Sequence, residues 1–442
     1  MAVILNKREY ESQLAKSRDK RMKWWREARF GMFVHYGLFS QAGGCEWEEA
    51  LGNYPKEEYE EYANSFDTAP GAPRQWVKLA KNAGAKYVIM TTRHHEGFSL
   101  WDSKVNPINS VNYGPHRDLV REFVDACREF DMKVGFYSSL MDWHNPDGWK
   151  CMTDPEARRR FLDYIEALNV ELLTNYGKLD ILWYDVAMPL DGWDAWESVI
   201  RNQRLRELQP DIIINNRSLL DEDYGTPEET VEAGTRNWEA CMTMNGMTWC
   251  YTDENQVGKY NYTSAQILRM LNKCSREGGN LLLNFGPRPD GTVPSDVVGP
   301  LKEVGEWLSR NGEAAYGLKK ETGSIFSYAK GGNGTAHACG SEDNKTIYLW
   351  CWIWRAPTMH LGGYLTAPKK ITILNTGEEV EFTHDGARIT FKNLSAECPD
   401  PLGICVLKME FDQEVVYKPA SRFPQLCMID PSHSGPVTGT KE

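Results

Sequence analysis

The chain has 442 residues, of which 41% are hydrophobic and 25% charged, so it is long enough for one large globular domain and a smaller one. Its net charge of −12 argues against a nucleic acid or an anionic membrane as partner, because phosphate contacts require clustered lysines and arginines. No apolar run approaches the roughly 18 residues of a membrane-spanning helix.

The N-terminal segment and the cysteines bear on the cellular compartment. Residues 1–10 lack a charged region followed by a long apolar stretch, so they do not form a signal peptide as written. The 11 cysteines are an odd number and include no C-x-x-C pair. Cys127, Cys274 and Cys405 lie in apolar surroundings and are expected to be reduced core thiols. We therefore expect a cytoplasmic protein; secretion or a periplasmic location would require that a signal had been removed.

Apolar runs alternate with helical segments between residues 21 and 318. Residues 1–20 are predicted to form a polar lead-in helix. Six apolar runs end in polar, charged or aromatic residues, at 30–37, 87–98, 133–139, 179–185, 211–217 and 280–287, and a weaker run spans 238–243. Apolar residues at helical spacing separate most of these runs, at 76–83, 119–130, 156–173 and 196–208, and a last helix is expected at 301–311.

This alternation predicts parallel strands joined by right-handed crossovers. A (β/α)8 barrel, or TIM barrel, with one or two degenerate units accounts best for the pattern. In that fold the carboxyl ends of the strands face one shared cavity, which explains why every run ends in functional groups. A doubly wound open sheet is the alternative, but no G-x-G-x-x-G sequence follows the first strand.

The pattern changes after residue 317. Short strand-like runs follow one another at 324–329, 346–352, 370–374, 380–383, 387–391 and 404–411, with glycine-containing turns between several of them. These runs predict a β-sandwich over residues 319–418. Residues 419–442 are rich in proline, serine and glycine, and we expect a flexible tail there.

The ends of the predicted barrel strands supply the groups that glycoside hydrolysis requires. Asp185 ends one apolar strand, Arg217 ends the next, and Glu239 lies beyond it. Further hydrogen-bonding and wall residues follow other strands: His35, Glu46, Trp47, His94 and His95. A carboxylate nucleophile, a second carboxylate and a shell of hydrogen-bonding groups are typical of a retaining glycosidase. The 16 tryptophans and 20 tyrosines suit either core filling or a saccharide site.

Several motifs in chain order resemble the α-L-fucosidases of glycoside hydrolase family 29. They occur at residues 25–40, 46–47, 83–89, 94–98, 135–137, 182–185, 238–243 and 278–284. The similarity runs from about residue 20 to about residue 318, and the C-terminal β module matches the architecture of that family. Three departures leave the exact sugar open, since Tyr36, Glu96 and Cys250 replace the tryptophan, aspartate and glycine that are usual there.

The resemblance implies a role for each matching residue. Asp185 aligns with the nucleophile of the family, and Glu239 aligns with the acid/base of its broad-specificity subfamily. Glu228 is the alternative acid/base, and Glu222 and Glu229 are further candidates in the same stretch. The expected residues of the fucose pocket are His35, Glu46, Trp47, His94, His95, Tyr137, Trp183 and Arg217.

The function predicted in this way is an exo-acting retaining hydrolase that releases terminal α-L-fucose from a fucosylated glycan or a small fucoside. Three alternatives stay open: the same machinery acting on an α-L-galactoside, a non-catalytic sugar-binding protein with a decayed barrel, and a metal-dependent barrel hydrolase. We expect no metal and no cofactor, because adjacent strand residues such as His94 and His95 point to opposite faces and no H-x-H or H-E-x-x-H spacing occurs. A homo-oligomer is neither indicated nor excluded.

Overall fold

The computed structural model describes residues 4–52, 56–234, 236–253, 261–321 and 336–417. The chain divides into two compact units, Met1–Tyr262 with Asn280–Lys302, and Thr263–Gly279 with Glu303–Glu442. The described residues include the helices α1 Lys7–Ala28, α2 Phe39–Ala42, α3 Glu48–Gly52, α4 Lys56–Ser65, α5 Ala72–Asn82, α6 Leu119–Glu129, α7 Pro155–Asn175, α8 Ser198–Leu208, α9 Ser264–Glu277 and α10 Ser295–Asn311.

The first unit contains a curved sheet of seven parallel strands. The strands are β1 Phe30–Val34, β2 Tyr87–Arg93, β3 Lys133–Ser139, β4 Ile181–Asp185, β5 Ile213–Ile214, β6 Glu239–Thr243 and β7 Asn280–Phe285. Their order is β5-β4-β3-β2-β1-β7-β6, so chain neighbours pair and the last strands return to the first. The seventh run predicted from the sequence is β6, and the predicted barrel is confirmed.

Residues 224–229, here called the closing segment, join the two edges of this sheet. Tyr224 forms a parallel bridge to Asn215 beyond β5, and Glu228 forms one to Cys241 of β6. Hydrogen bonds support the second junction, from the amide of Cys241 to the carbonyl of Pro227 at 3.0 Å. The closing segment therefore takes the eighth strand position of the barrel. In the described part of the chain, no α-helix joins it to β5 or to β6.

The barrel interior is filled by side chains that alternate along each strand, as the two-residue period of a β-strand requires. Gly31, Phe33 and His35 of the first strand and its carboxyl end share one face. The same period places Trp183 beside Asp185 on β4. The buried interior cluster includes Phe33, Tyr87, Ile89, Tyr137, Ile181, Trp183, Ile213, Tyr224, Cys241 and Leu282.

Helix α1 is longer and more buried than the predicted lead-in. It begins with a capping box between Asn6 and Glu9 and continues to Ala28, well past residue 20. Met22 and Trp25 are fully buried and belong to the barrel core cluster. Because apolar residues are few among the polar ones of α1, the sequence pattern does not reveal how much of the helix is buried.

A network of buried charges connects α1 and α8 to the residues just before the closing segment. Arg206 of α8 binds Glu222 and Asp223, each at 2.8 Å. Tyr10 of α1 donates a hydrogen bond to Glu222 at 2.8 Å, and Arg21 of α1 pairs with Asp223. Both carboxylates are fully buried, so the network fixes the chain where the closing segment begins.

Among its described residues, the β-rich unit has two antiparallel sheets. Its strands are β8 Lys319–Glu321, β9 Ala336–Ser341, β10 Thr346–Cys351, β11 Met359–Gly362, β12 Lys370–Ile373, β13 Phe382–Asp385, β14 Arg388–Phe391 and β15 Cys405–Glu410. The five-stranded sheet has the order β12-β15-β10-β9-β8 and the three-stranded sheet has the order β11-β14-β13. One apolar cluster takes residues from both sheets, including Leu349 and Ile389, so the predicted sandwich is confirmed.

The predicted domain limits differ in detail from the two compact units. Thr263–Gly279 and the chain from Glu303 to residue 318 group with the β-rich unit rather than with the barrel. The predicted strand at 324–329 and the predicted flexible tail at 419–442 lie outside the described residues, although Ala336–Ser341 and the later strands follow the expected pattern. Within the described residues, no helix is long and apolar enough to cross a membrane.

Candidate active site

A cavity of about 110 Å³ opens at the carboxyl ends of the barrel strands. All eight residues expected in the pocket line it together with Asp185 and Glu228. Three further lining residues were not predicted for the pocket: Phe33, Val186 and Trp249. Phe33 could have been found from the sequence, because it lies two residues before His35 on the same strand face.

Asp185 is held at the cavity by two hydrogen-bond donors. The hydroxyl of Tyr137 donates to its Oδ2 at 2.8 Å, and Nη1 of Arg217 donates to its Oδ1 at 3.0 Å. Burial raises the pKa of Asp185, whereas Arg217 and the Tyr137 hydrogen bond lower it and partly offset that effect. The carboxylate is therefore oriented on both oxygens and keeps an opening to the cavity, with 15% of its side chain exposed.

Arg217 connects Asp185 to a second carboxylate. Its Nη2 lies 2.6 Å from Oε2 of Glu228, so one guanidinium binds both acids through different nitrogens. Burial lowers the pKa of Arg217, but the charges of Asp185 and Glu228 outweigh that effect and the pKa is raised overall. The side chain of Glu228 is 42% exposed, which places it nearer the mouth of the cavity than Asp185.

Glu239 does not line this cavity. It is the first residue of β6, whereas Asp185 is the last residue of β4. At roughly 3.3 Å per residue, the start of a five-residue strand lies about 13 Å below its carboxyl end. Glu239 is fully buried, and its carboxyl accepts hydrogen bonds from the hydroxyl of Tyr87 and from Nε1 of Trp183 at 3.2 Å.

The environment of Glu239 nevertheless changes its protonation. Burial raises the pKa of Glu239 to about 7, although hydrogen bonds from Tyr87 and Trp183 act in the opposite direction. A pKa near neutrality suits a general acid, but a general acid must also reach the oxygen that it protonates. Glu239 is covered by Trp183, which lines the cavity, so its carboxyl does not reach the cavity.

His35, His94 and His95 line the cavity, and two of them have side-chain hydrogen-bond partners. Nδ1 of His35 lies 2.8 Å from the amide oxygen of Asn284, and Nδ1 of His95 lies 2.7 Å from Oγ of Ser139. Burial lowers the pKa of both His35 and His95, with a further contribution from His94. Neutral imidazoles of this kind can donate to or accept from sugar hydroxyls.

His94 and His95 both face the cavity although they are adjacent in sequence. Strand β2 ends at Arg93, so the alternation of strand faces no longer applies to them. Their rings lie 3.9 Å apart, and Nδ1 of His94 lies 3.6 Å from Oε2 of the buried Glu96. The opposite-face reasoning used in the sequence analysis is therefore wrong for this pair.

The side-chain donors of His94, His95 and Asp185 lie within 4.8 Å of one another, which is close enough for a metal ion. Both oxygens of Asp185 are already bound by Tyr137 and Arg217, however. A guanidinium 3.0 Å from the carboxylate would also repel a divalent cation. The donor set therefore fits sugar hydroxyls better than a metal.

Aromatic residues form the remaining walls of the cavity. Trp47 packs on His95 at 5.0 Å and on Trp143 at 5.1 Å between ring centres. Trp249 packs on His35 at 5.2 Å, and its amide donates to Glu46 at 3.0 Å. A flat apolar wall beside polar groups is an arrangement suited to a pyranose, whose faces present C–H groups and whose edge presents hydroxyls.

Comparison with known proteins bears on the chemistry of this cavity. The sequence profile described as Alpha-L-fucosidase matches residues 1–313. The tissue alpha-L-fucosidase of Bos taurus is 32% identical over 340 residues, which cover 70% of this chain and 72% of that protein. The chain belongs to the alpha-L-fucosidase family. The tissue alpha-L-fucosidase of Homo sapiens is 31% identical over 345 residues and covers 70% of this chain and 73% of its own length.

Solved structures of the family have the same architecture. Alpha-L-fucosidase isoenzyme 1 from Paenibacillus thiaminolyticus has a TM-score of 0.79 and 31% identity, and the match covers 90% of this chain and 100% of that one. A GH29 alpha-L-fucosidase from Bacteroides thetaiotaomicron, described as a trapped covalent intermediate, has a TM-score of 0.76 and 25% identity over 89% and 96% of the chains. Family membership makes this chain a glycosidase.

Proposed function

We propose that this chain is an exo-acting retaining α-L-fucosidase in which Asp185 is the nucleophile and Glu228 is the acid/base. One observation carries the assignment: a single guanidinium, that of Arg217, binds both carboxylates at the cavity. A retaining mechanism requires two carboxyl groups close together at the reacting bond, and the shared guanidinium holds Asp185 and Glu228 near each other at the cavity.

In the first step Asp185 attacks the anomeric carbon of fucose while Glu228 protonates the oxygen of the departing group. Tyr137 and Arg217 orient the attacking carboxylate, so little movement is needed before reaction. The exposure of Glu228 is consistent with its position beside a leaving group that extends out of the cavity.

In the second step Glu228 takes a proton from water, which attacks the anomeric carbon and releases Asp185. Fucose then leaves with the α configuration of the substrate. Asp185 alternates between a carboxylate and an ester.

The cavity supports a terminal deoxy sugar as substrate. The three histidines provide partners for hydroxyl groups, and Phe33 and Trp183 provide apolar surface for the methyl group at C6. Tyr36, which follows His35, does not line the cavity, and its hydroxyl binds Thr68 and the carbonyl of Pro289. An α-L-galactoside adds a hydroxyl at C6, and the relatives described above, all named alpha-L-fucosidases, do not favour that alternative.

Two further expectations from the sequence stay predictions. A cytoplasmic location rests on the cysteine pattern, and free thiols occur at Cys127, Cys241 and Cys405. The second is a possible homo-oligomer.

The assignment of Glu228 is tested by comparing two substrates. Glu228→Ala should lower activity on a fucosyl disaccharide by about 100-fold or more, and on 4-nitrophenyl α-L-fucoside much less, because nitrophenolate leaves without protonation. With Glu228→Ala and 4-nitrophenyl α-L-fucoside, azide should restore turnover. It should give fucosyl azide of retained configuration, because azide then attacks the covalent intermediate in place of water. Glu229→Gln is the matched control, since Glu229 accepts a hydrogen bond from the amide of Thr243 and glutamine preserves it.

If Glu228→Ala affects both substrates equally and azide has no effect, Glu228 is not the acid/base. If Glu239→Ala instead shows the leaving-group dependence and the azide product, the role belongs to Glu239. An unmodified protein that cleaves neither substrate contradicts the proposed function itself.

A further inference from the structure

Glu239 lies in the floor of the barrel beneath the active site. Its carboxyl is fully buried and accepts hydrogen bonds from the hydroxyl of Tyr87 and the indole N–H of Trp183, and the side chain of Trp25 is close enough to lower its pKa as well. The floor is shaped around this contact, because a Cβ on Gly31 would lie 2.2 Å from the ring of Tyr87. The missing side chain at Gly31 makes room for the tyrosine whose hydroxyl reaches Glu239.

Trp183 connects this floor to the cavity. Its indole stacks on the ring of Tyr137 with centres 5.7 Å apart and an angle of 15°, and the guanidinium of Arg217 lies 5.1 Å from it. Tyr137 and Arg217 are the two donors that hold Asp185. A single indole therefore packs against both of the groups that orient the proposed nucleophile.

The terminal torsion of an aromatic side chain has broad minima, so packing alone leaves an indole two orientations that differ in where its N–H points. The hydrogen bond to Glu239 selects one of them. A different orientation would change the surface on which Arg217 and Tyr137 rest. We propose that Glu239 is a positioning residue, which fixes the Trp183 indole and thereby holds Arg217 and Tyr137 in register with Asp185.

This inference rests on the proposed function, since it concerns the geometry of its nucleophile. It differs from an acid/base role in what the carboxyl must provide. A positioning residue needs only an acceptor for the indole N–H, whereas an acid/base needs a proton that it can exchange. Replacement by glutamine separates the two, because glutamine keeps the acceptor oxygen and has no titratable proton.

The test uses the full-length chain and five variants, assayed with 4-nitrophenyl α-L-fucoside and with a fucosyl disaccharide. Glu239→Gln should retain most of kcat/KM on both substrates. Glu239→Met, which has no comparable acceptor, should lower kcat/KM about 10- to 100-fold on both, because displaced reacting groups cost rates of that order. Trp183→Phe should lower kcat/KM to a similar extent. The double variant with Glu239→Met and Trp183→Phe should lose no more kcat/KM than the more affected of the two single variants.

The pH profile gives the readout that a purely structural role would not change. The acidic limb of kcat/KM reports ionisation of Asp185 in the free enzyme. A loosened Arg217 stabilises the carboxylate less, so the limb should move to higher pH by about half a unit or more in Glu239→Met and Trp183→Phe. Tyr87→Phe is the matched control, because it removes another donor to Glu239 and leaves the Trp183 contact intact. The acidic limb of this variant should not move.

Three results would overturn the proposal: an unchanged acidic limb in Trp183→Phe, additive losses in the double variant, or an inactive Glu239→Gln. If Glu239→Met does not fold, the comparison of Trp183→Phe with Glu239→Gln still decides. Leaving-group dependence with azide rescue in a Glu239 variant would mean instead that the acid/base assignment is wrong, which the Glu228 variants reveal independently.

Discussion

At the scale of single residues, the role of Asp185 is the most direct to test. Asp185→Gly removes the group that forms the covalent intermediate, so kcat should fall by about a thousandfold or more with the fold intact. Azide should partly restore turnover of 4-nitrophenyl α-L-fucoside and give fucosyl azide of inverted configuration, because azide then occupies the place of the carboxylate.

Circular dichroism and the melting temperature of Asp185→Gly serve as controls for folding. A variant that keeps more than about a tenth of the activity would contradict the assignment, since a tenfold loss corresponds to only about 1.4 kcal/mol of transition-state stabilisation.

The buried carboxyl of Glu239 leads to a second prediction, which concerns the stability of the fold rather than the reaction rate. Burial raises its pKa from 4.5 to about 7, so the folded protein binds this proton more tightly than the unfolded chain does. The proton on Glu239 therefore stabilises the folded state fully below pH 4.5. This stabilisation, on the order of 3 kcal/mol, is lost as the pH rises from 4.5 to about 7.

Glu239→Gln does not titrate and should lack this loss. The difference in the free energy of unfolding between the variant and the parent should grow in favour of the variant between pH 4.5 and pH 7, as urea unfolding at several pH values would measure. Glu27→Gln, at a partly exposed side chain near the end of α1, serves as the control for a change of glutamate to glutamine. Parallel stability curves for Glu239→Gln and its parent would contradict the raised pKa.

Glu228 and Glu239 also show how far the sequence predicts the site. The residues expected to line the pocket lie in one cavity, because strand ends can be recognised from apolar runs that stop at polar groups. Glu239 follows Trp238 in a motif that resembles the family, but a motif does not reveal which end of a strand carries a residue. That distinction depends on where β6 begins, and the structure places its start at Glu239.

At the scale of secondary-structure elements, the closing segment is what the sequence pattern could not predict. Residues 224–229 contain a glycine and a proline and have no apolar alternation, so they are typical of a loop. Neighbouring strands nonetheless supply hydrogen-bond partners on both sides of the segment, and tertiary contacts override the local preference. Glu228 is brought to the cavity by this segment.

The charge network before the closing segment should control its stability. Arg206→Met leaves Glu222 and Asp223 buried with fewer cations, so the free energy of unfolding should fall by about 3 to 5 kcal/mol. Hydrogen exchange at residues 224–229 should accelerate more than elsewhere in the barrel.

Arg204→Met is the matched control for this change. Arg204 lies on the same helix, α8, but half of its side chain is exposed and it pairs only with Glu166 among the ion pairs described. Loss of such a pair should alter stability by less than about 1 kcal/mol. Equal effects of the two substitutions would show that the buried network does not anchor the closing segment.

At the scale of the whole molecule, the change from helix-separated strands to short turn-separated strands predicts both the barrel and the sandwich. The division into compact units is less predictable, because it depends on tertiary contacts. Thr263–Gly279 follows a barrel strand in sequence but groups with the β-rich unit. No periodicity within α9 distinguishes packing on one unit from packing on the other.

The thiols give a prediction that concerns the whole chain. Free thiols occur in both units, at Cys45, Cys127, Cys151, Cys241, Cys250, Cys351, Cys398 and Cys405. Burial raises the pKa of Cys127, Cys241 and Cys250, which makes them poor nucleophiles. Cys398 differs, because a hydrogen bond with Cys405 lowers its pKa and its side chain is only partly buried.

Ellman's reagent should therefore label Cys398 first in the native protein and the buried cysteines only after unfolding. Cys427 lies outside the described residues, so the assay is best done in a Cys427→Ser background. There Cys398→Ser should abolish the fast phase, whereas Cys45→Ser should leave it unchanged, because burial raises the pKa of Cys45. Because these cysteines are free thiols, dithiothreitol should shift the melting temperature by less than about 1 °C. Reduction of a structural disulfide would instead cost several kcal/mol and lower the melting temperature much further. A large shift on reduction, or a fast phase that survives Cys398→Ser, would contradict this distribution of thiols.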